Sequence, residues 1–426
     1  MTYQSMSKAQ LEEIHNQLLN VYNSYLTDGI KLDMARGKPS AEQLDISKEM
    51  LSIIAENDDC IDCDGIDCRN YGGLDGILSA KKLFSNLLEV EVDNVLLGGN
   101  SSLNMMYDSI ARAFTFGFCD SERPWSKENE IKFLCPSPGY DRHFAICELF
   151  GIKMIPIQMR SDGPDMDSIQ HYVENDISVK GVWCVPKYSN PTGIVYSDSV
   201  VRKFAALKPK AKDFRIFWDN AYAVHDLYED IKLLNIFEEC KKYGNDNMPL
   251  MFSSTSKITY PGSGVAIMVA SKENLDFIKK QLTVQTIGPD KINQLRHVKF
   301  FKDKYGILNH MKLHAKILEP KFSTVIEAFN KELSGLGIAS WTSPKGGYFI
   351  SFDSLPGCAS KIYDLCLKAG LTLTNCGATY PYGKDPQDTN IRIAPSFPTV
   401  QQLKAAVERF IVCVKLVSIE KILSEK

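Results

Sequence analysis

A chain of 426 residues is long enough for two or three domains around sizeable cores, so it is no small scaffold held together by disulfides. Its 49 lysines and arginines against 52 aspartates and glutamates give a net charge of −3, with no basic excess to hold nucleic acid or an anionic membrane. At 44% hydrophobic and 24% charged, its composition is that of a folded globular protein, not of a disordered, collagen-like or coiled-coil chain.

The opening MTYQSMSKAQLEEIHNQL has neither a basic leader feeding an apolar stretch nor a small-residue cleavage site, so a cytoplasmic protein without an export signal is expected. A helix starts after Ser7, with Gln10 completing a capping box and Leu11, Ile14, Leu18, Val21, Tyr22 and Tyr25 on its apolar face. Cys60, Cys63 and Cys68 cluster in DDCIDCDGIDC. A structural zinc site needs a fourth ligand and no second pair follows, so no metal is expected and the twelve cysteines read as reduced thiols.

From about Asn94 short apolar runs at 95–97, 131–135, 154–157, 182–185, 216–218 and 265–269 alternate with helical periodicities, the pattern of an α/β domain with a mainly parallel sheet. DSERPWSKENE and KKYGNDNMP between them read as solvated connectors. His310 and His314, four apart in HMKLH, share a helical face, but Met311 stands where a zinc-protease helix has Glu, so a partly exposed helix is expected there. A second region begins near Pro320, with the strand-like GGYFISF, the segment NIRIAPSFP and a last helix capped by Thr399 and Gln402. No run approaches the 18 or so apolar residues of a membrane span.

Two features carry chemistry. The strand at 95–97 runs through GGNSS into a helix, where free backbone N–H groups suit an anion, although simple capping by Asn or Ser fits equally well. Neither a dinucleotide nor a P-loop fingerprint accompanies it. Further on, four segments end apolar runs in reactive groups: Asn190 in VWCVPKYSNPTG, Asp219 and Tyr222 in FRIFWDNAY, Lys257 in LMFSSTSKITYPGSG, and Arg392 in NIRIAPSFP. Open α/β sheets bind ligands at such strand ends.

Together with LDMARGKPS, YGGLDGI, CPSPGYDRH, QTIGPDKINQLRH and GGYFIS, these segments resemble the fold-type-I, pyridoxal-phosphate-dependent class I aminotransferases, closest to the subgroup Ic aspartate aminotransferases, from about Leu32 to Phe410. The resemblance implies a large cofactor domain over 46–318 with a mainly parallel seven-stranded sheet, and a smaller α+β domain built from 1–45 and 319–426. It implies that Lys257 forms the Schiff base with pyridoxal 5'-phosphate and moves the substrate proton, that Asp219 pairs with the pyridine nitrogen, and that Asn190 and Tyr222 donate to the ring's 3′ oxygen. Tyr140 would stack on the ring, and Ser101, Ser102 and Ser254 would hold the phosphate. Arg392 would grip the substrate α-carboxylate under Gly37, with Asn190 beside it. Tyr71 would reach the phosphate of a neighbouring subunit, making a homodimer with shared sites.

Many class I members carry Arg eight residues after the lysine, where this chain has Val265. Arg36, Lys38, Arg142 and Arg296 are candidates for a second cation toward a dicarboxylic substrate. The expected reaction is ping-pong transamination between aspartate and 2-oxoglutarate, giving oxaloacetate and glutamate. A different aminotransferase substrate, a β-lyase or decarboxylase using the same cofactor, or a cofactor-sensing regulator are the alternatives.

Overall fold

The computed structural model describes residues 2–426. Its main sheet runs, in spatial order, Val95–Leu97, Ala266–Val269, Pro249–Ser254, Arg215–Asp219, Val179–Cys184, Lys132–Ser137, Lys153–Arg160 and Gly163–Pro164. The five strands from Pro249–Ser254 to Lys153–Arg160 pair in parallel, while Ala266–Val269 is antiparallel to both neighbours. Seven strands match the expectation in number, and the eighth is a two-residue edge antiparallel to Met159 and Arg160. Central strands such as Arg215–Asp219 and Pro249–Ser254 are buried at every position, because helices cover both faces of a parallel sheet and leave no solvent side for alternation.

One face packs Ala80, Leu83 and Phe84, then Val200, Val201 and Phe204, against the sheet. The other packs Met105, Met106, Ile110 and Ala113 together with Phe144, Leu275 and Ile278. A third apolar core joins residues distant in sequence. Leu11, Tyr22, Leu32 and Met34 meet Phe322, Val325 and Phe329 of the 29-residue helix Lys304–Glu332 and Val407, Phe410 and Val414 of the C-terminal helix Val400–Ser424. A three-stranded antiparallel sheet, Ala339–Trp341, Ile350–Ser354 and Asn390–Ile393, packs into this core and carries Arg392. Val185, Tyr188 and Tyr222 from the main sheet's loops belong to it too, so an apolar seam joins the two regions. The caps expected at Ser7 and Thr399 both form complete boxes. Among the described residues no helix is long and apolar enough to cross a membrane.

Two expectations are corrected. DSERPWSKENE is no purely solvated connector: Trp125 is buried, edge-on to Phe114, Phe118 and Phe133, and its Nε1 donates to Asp213 Oδ2 at 2.9 Å. A single aromatic in a polar run found a pocket that local composition does not encode. Nor is the His310–His314 face partly exposed, because both rings are buried where the helix Lys304–Glu332 crosses the loop after Lys257.

Burial lowers the pKa of His297 and of His314 to about 4. The native chain therefore takes up these protons only near pH 4, whereas an unfolded chain takes them up near pH 6.5. The neutral rings cost nothing above pH 6.5, and stability is lost as pH falls from 6.5 toward 4. Urea melts should show a loss of about 2 kcal/mol per histidine between pH 7 and pH 5, and His297→Asn should show a shallower loss than the wild type.

Candidate active site

A cleft of about 540 Å³ lies at the carboxyl ends of Val179–Cys184, Arg215–Asp219 and Pro249–Ser254, against the N-terminus of the helix Ser102–Phe116. Residues 35–37, Phe349, 372–375 and Arg392 close its other side. Ser101, Ser102, Tyr140, Asn190, Asp219, Tyr222, Ser254, Lys257, Gly37 and Arg392 all line it. Of the residues singled out from the sequence, Tyr71 does not. It is 82% exposed, on the loop before the helix Leu78–Leu88.

Asp219 ends a strand whose Ile216, Phe217 and Trp218 are fully buried, and that apolar run carries the carboxylate to 3% exposure. His143 Nε2 donates to its Oδ2 at 3.0 Å, and the imidazole is stacked on Trp183 with ring centres 4.3 Å apart. Asp219 Oδ1 has no hydrogen-bond partner in the protein. An unpaired buried acceptor costs about 1–3 kcal/mol, so this oxygen suits a ligand donor. Tyr140 lies edge-on to His143 at 4.9 Å, and burial followed by the Asp219 charge pushes its phenol up. Burial, Tyr140 and Asp219 push Tyr222 up as well, so that both phenols remain proton donors at neutral pH.

Lys257 sits in a single 3₁₀ turn, Thr255–Lys257, after the strand Pro249–Ser254, with its amine 5.0 Å from the centre of the Tyr222 ring. Burial lowers its pKa and the Asp219 carboxylate opposes that shift. The turn is pinned from behind. His297 Nδ1 donates to the Asn293 carbonyl at 2.7 Å, which leaves Nε2 as an acceptor with the Thr255 and Thr259 hydroxyls 2.9 and 3.0 Å away. Thr255 Oγ1 in turn accepts from the backbone of Val265 at 2.8 Å, so at this position the chain supplies a buried strut and no cation.

At one end of the cleft, hydroxyls gather at a helix N-terminus. Ser101 caps Ser102–Phe116, Ser254 donates to Ser256 at 3.1 Å, and Ser256 donates to the Asn100 carbonyl at 2.9 Å. Four hydroxyls and the positive end of a 15-residue helix make an anion seat. At the other end Arg392 Nη1 donates to Asp141 Oδ1 at 2.9 Å and to Asn190 Oδ1 at 3.3 Å, its Nε reaches Thr374 Oγ1 at 3.3 Å, and its Cζ lies 4.9 Å from the Phe349 ring centre. A Cβ at Gly37 would lie 2.4 Å from Phe349 Cζ, so any side chain there would force the ring to shift.

Asp141, His143, Ser256, Phe349, Thr374 and Asn375 belong to the site or its support without having been singled out from the sequence. His143 alone had a local signal, three residues after Tyr140 and thus on the same helical face. Of the four candidate cations, Arg36 and Arg142 line the cleft. Lys38 and Arg296 do not: Lys38 lies 3.8 Å over the Phe397 ring and Arg296 turns to Asn293. Cys60 and Cys68 are buried in a small hairpin and Cys63 is exposed.

A cleft at the ends of parallel strands, with a lysine, a buried carboxylate, an anion seat and an arginine facing one another, defines the class of the fold-type-I aminotransferases. Comparison with known proteins agrees. The aspartate amino-transferase family matches residues 6–426, and the chain belongs to it. It is 43% identical to an aspartate aminotransferase of Corynebacterium glutamicum over 98% of each chain. It is 45% identical, over the whole of both chains, to a Mycolicibacterium smegmatis protein named only by class, as an aminotransferase. The solved structure of an aspartate transaminase from Corynebacterium glutamicum superposes with a TM-score of 0.96 over 99% of each chain at 43% identity.

Arg392→Lys keeps the charge but loses the planar fork. Losing one charge-assisted bond of about 1.5–3 kcal/mol, it should raise KM for carboxylate substrates roughly tenfold or more and leave the melting temperature nearly unchanged, measured by steady-state kinetics and calorimetry.

Proposed function

We propose that this chain catalyses ping-pong transamination with pyridoxal 5'-phosphate, L-aspartate and 2-oxoglutarate giving oxaloacetate and L-glutamate. The observation that carries the reading is the buried Asp219, one oxygen fixed by His143 and the other without a partner, in the same cleft as Lys257. The names of the relatives at 43% and 45% identity support transamination, and that of the 43% relative supports aspartate as donor.

The residues fit the cofactor. The free Asp219 oxygen suits a protonated ring nitrogen, and the seat formed by Ser101, Ser102, Ser254 and Ser256 suits a phosphate. When bound, pyridoxal phosphate supplies an aldehyde that condenses with amines and a ring that takes up electron density from Cα. Asp219 keeps a proton on the ring nitrogen. Asn190 uses its Oδ1 for Arg392, which leaves its Nδ2 to donate to the 3′ oxygen beside the Tyr222 hydroxyl. Tyr140 limits the ring's tilt from one face. Lys257 Nζ, whose pKa burial lowers, would take the proton from substrate Cα and return it to the carbon that was the cofactor's aldehyde, across the nitrogen that joins the two. Arg392 exchanges Asp141 for the substrate α-carboxylate, and Gly37 closes over it without a side chain to obstruct the approach. Arg36 or Arg142 meets the second carboxylate.

On this reading Tyr71, exposed and not part of its own cleft's lining, serves that of a partner subunit in a homodimer. The cofactor domain spans 46–318 and the smaller domain joins 1–45 to 319–426, in keeping with the separate apolar cores. The enzyme works in the cytoplasm.

The test is a half-reaction. Purified protein mixed with aspartate and no oxo acid should release one oxaloacetate per bound cofactor and then stop until 2-oxoglutarate is added. Lys257→Ala should lower turnover by at least about 10⁴-fold, since proton transfer and covalent exchange are lost together. Continuous release of pyruvate and ammonia, or of carbon dioxide, would sink the transaminase reading.

A further inference from the structure

The histidine pair at 310 and 314 and the short helix Ala41–Asp45 take no part in the chemistry above, yet the histidines reach the backbone of Ile258, next to Lys257, and the helix braces them through Gln43. His310 Nε2 and His314 Nε2 each lie 2.9 Å from the Ile258 carbonyl oxygen. Gln43 Nε2 is 3.0 Å from His314 Nδ1 and can only donate there, so the His314 proton sits on Nε2 and points at Ile258. The same amide nitrogen donates to the Tyr348 hydroxyl at 2.9 Å, and that hydroxyl faces the Lys257 carbonyl at 3.5 Å. Ser47 Oγ lies 3.2 Å from His310. All of these side chains are buried. They come from three separate stretches of chain, and the stretch with Gln43 and Ser47 continues directly from Ala35, Arg36 and Gly37 in the cleft wall.

We propose that Gln43, His310 and His314 are positioning residues that clamp the Ile258 carbonyl and thereby tie the place of the Lys257 amine to the segment lining the substrate side of the cleft. The inference rests on Lys257 being the reacting amine. His297 fixes the turn through hydroxyls on one side, and the histidine pair fixes it through a carbonyl on the other. Burial lowers the pKa of His310 and His314, so the clamp adds no charge beside the lysine at neutral pH.

The test compares His314→Leu, His314→Gln and Gln43→Met. In cofactor-free protein, amide hydrogen exchange over 255–260 should accelerate about tenfold or more in His314→Leu and Gln43→Met, while His314→Gln, whose amide can still donate to Ile258, stays near wild type. With cofactor bound, the first two variants should shift the pH midpoint of the visible band of the lysine–cofactor linkage by about half a unit or more. They should also lower kcat about tenfold with KM for aspartate changed much less. A merely structural role would lower the melting temperature of Gln43→Met and leave exchange, midpoint and kcat unchanged, and that result would overturn the proposal. Should His314→Leu fail to fold, Gln43→Met decides. Absence of a visible band in the wild type would refute the cofactor reading, while exchange in the cofactor-free protein would still report on the clamp.

Discussion

The site depends on one buried carboxylate. Asp219 stands at the end of a strand that is apolar on both faces, and without a partner so deep a charge would be expensive. His143 meets one oxygen, and the stack on Trp183 holds the imidazole in place. That support leaves the second oxygen free and directed, which is what a cationic ring nitrogen requires. The phenols of Tyr140 and Tyr222 gain their donor character from the same burial and the same charge.

Charge is otherwise used sparingly near the lysine. His297, His310, His314 and His225 surround the turn after the strand Pro249–Ser254 as buried imidazoles whose pKa is lowered, and His225 is held down in part by Lys257 itself. The rings of His297, His310 and His314 supply hydrogen bonds to hydroxyls and a carbonyl without placing further positive charge beside the lysine. The formal cations stand instead at the open side, where Arg392 is held by Asp141 and Arg36 and Arg142 line the rim. A net charge of −3 over the whole chain conceals this local arrangement.

Much of the site was legible because strand ends carry it. Asn190, Asp219 and Lys257 each follow an apolar run, and parallel topology gathers such ends on one edge of a sheet. The motifs around them are local in sequence, so the family resemblance could be read segment by segment. Trp125 and the His310–His314 pair were misread for the opposite reason. Their polar partners, Asp213 for Trp125 and the Ile258 carbonyl for His310 and His314, lie 88, 52 and 56 positions away, and no local periodicity reports a contact of that range.

The sequence by itself determined the alternation of strands and helices, the caps at Ser7 and Thr399, and the identities of the lysine, carboxylate, amide, phenol and arginine, because each is written within a dozen residues. Only the tertiary structure decided that Asp141 occupies Arg392, that Gly37 yields to the Phe349 ring, that Arg36 and Arg142 and not Lys38 or Arg296 face the cleft, and that Gln43 reaches His314 behind the Lys257 turn. These are contacts between segments far apart in the chain. Their geometry is set by how the apolar cores pack, and packing is a property of the whole molecule rather than of any one stretch.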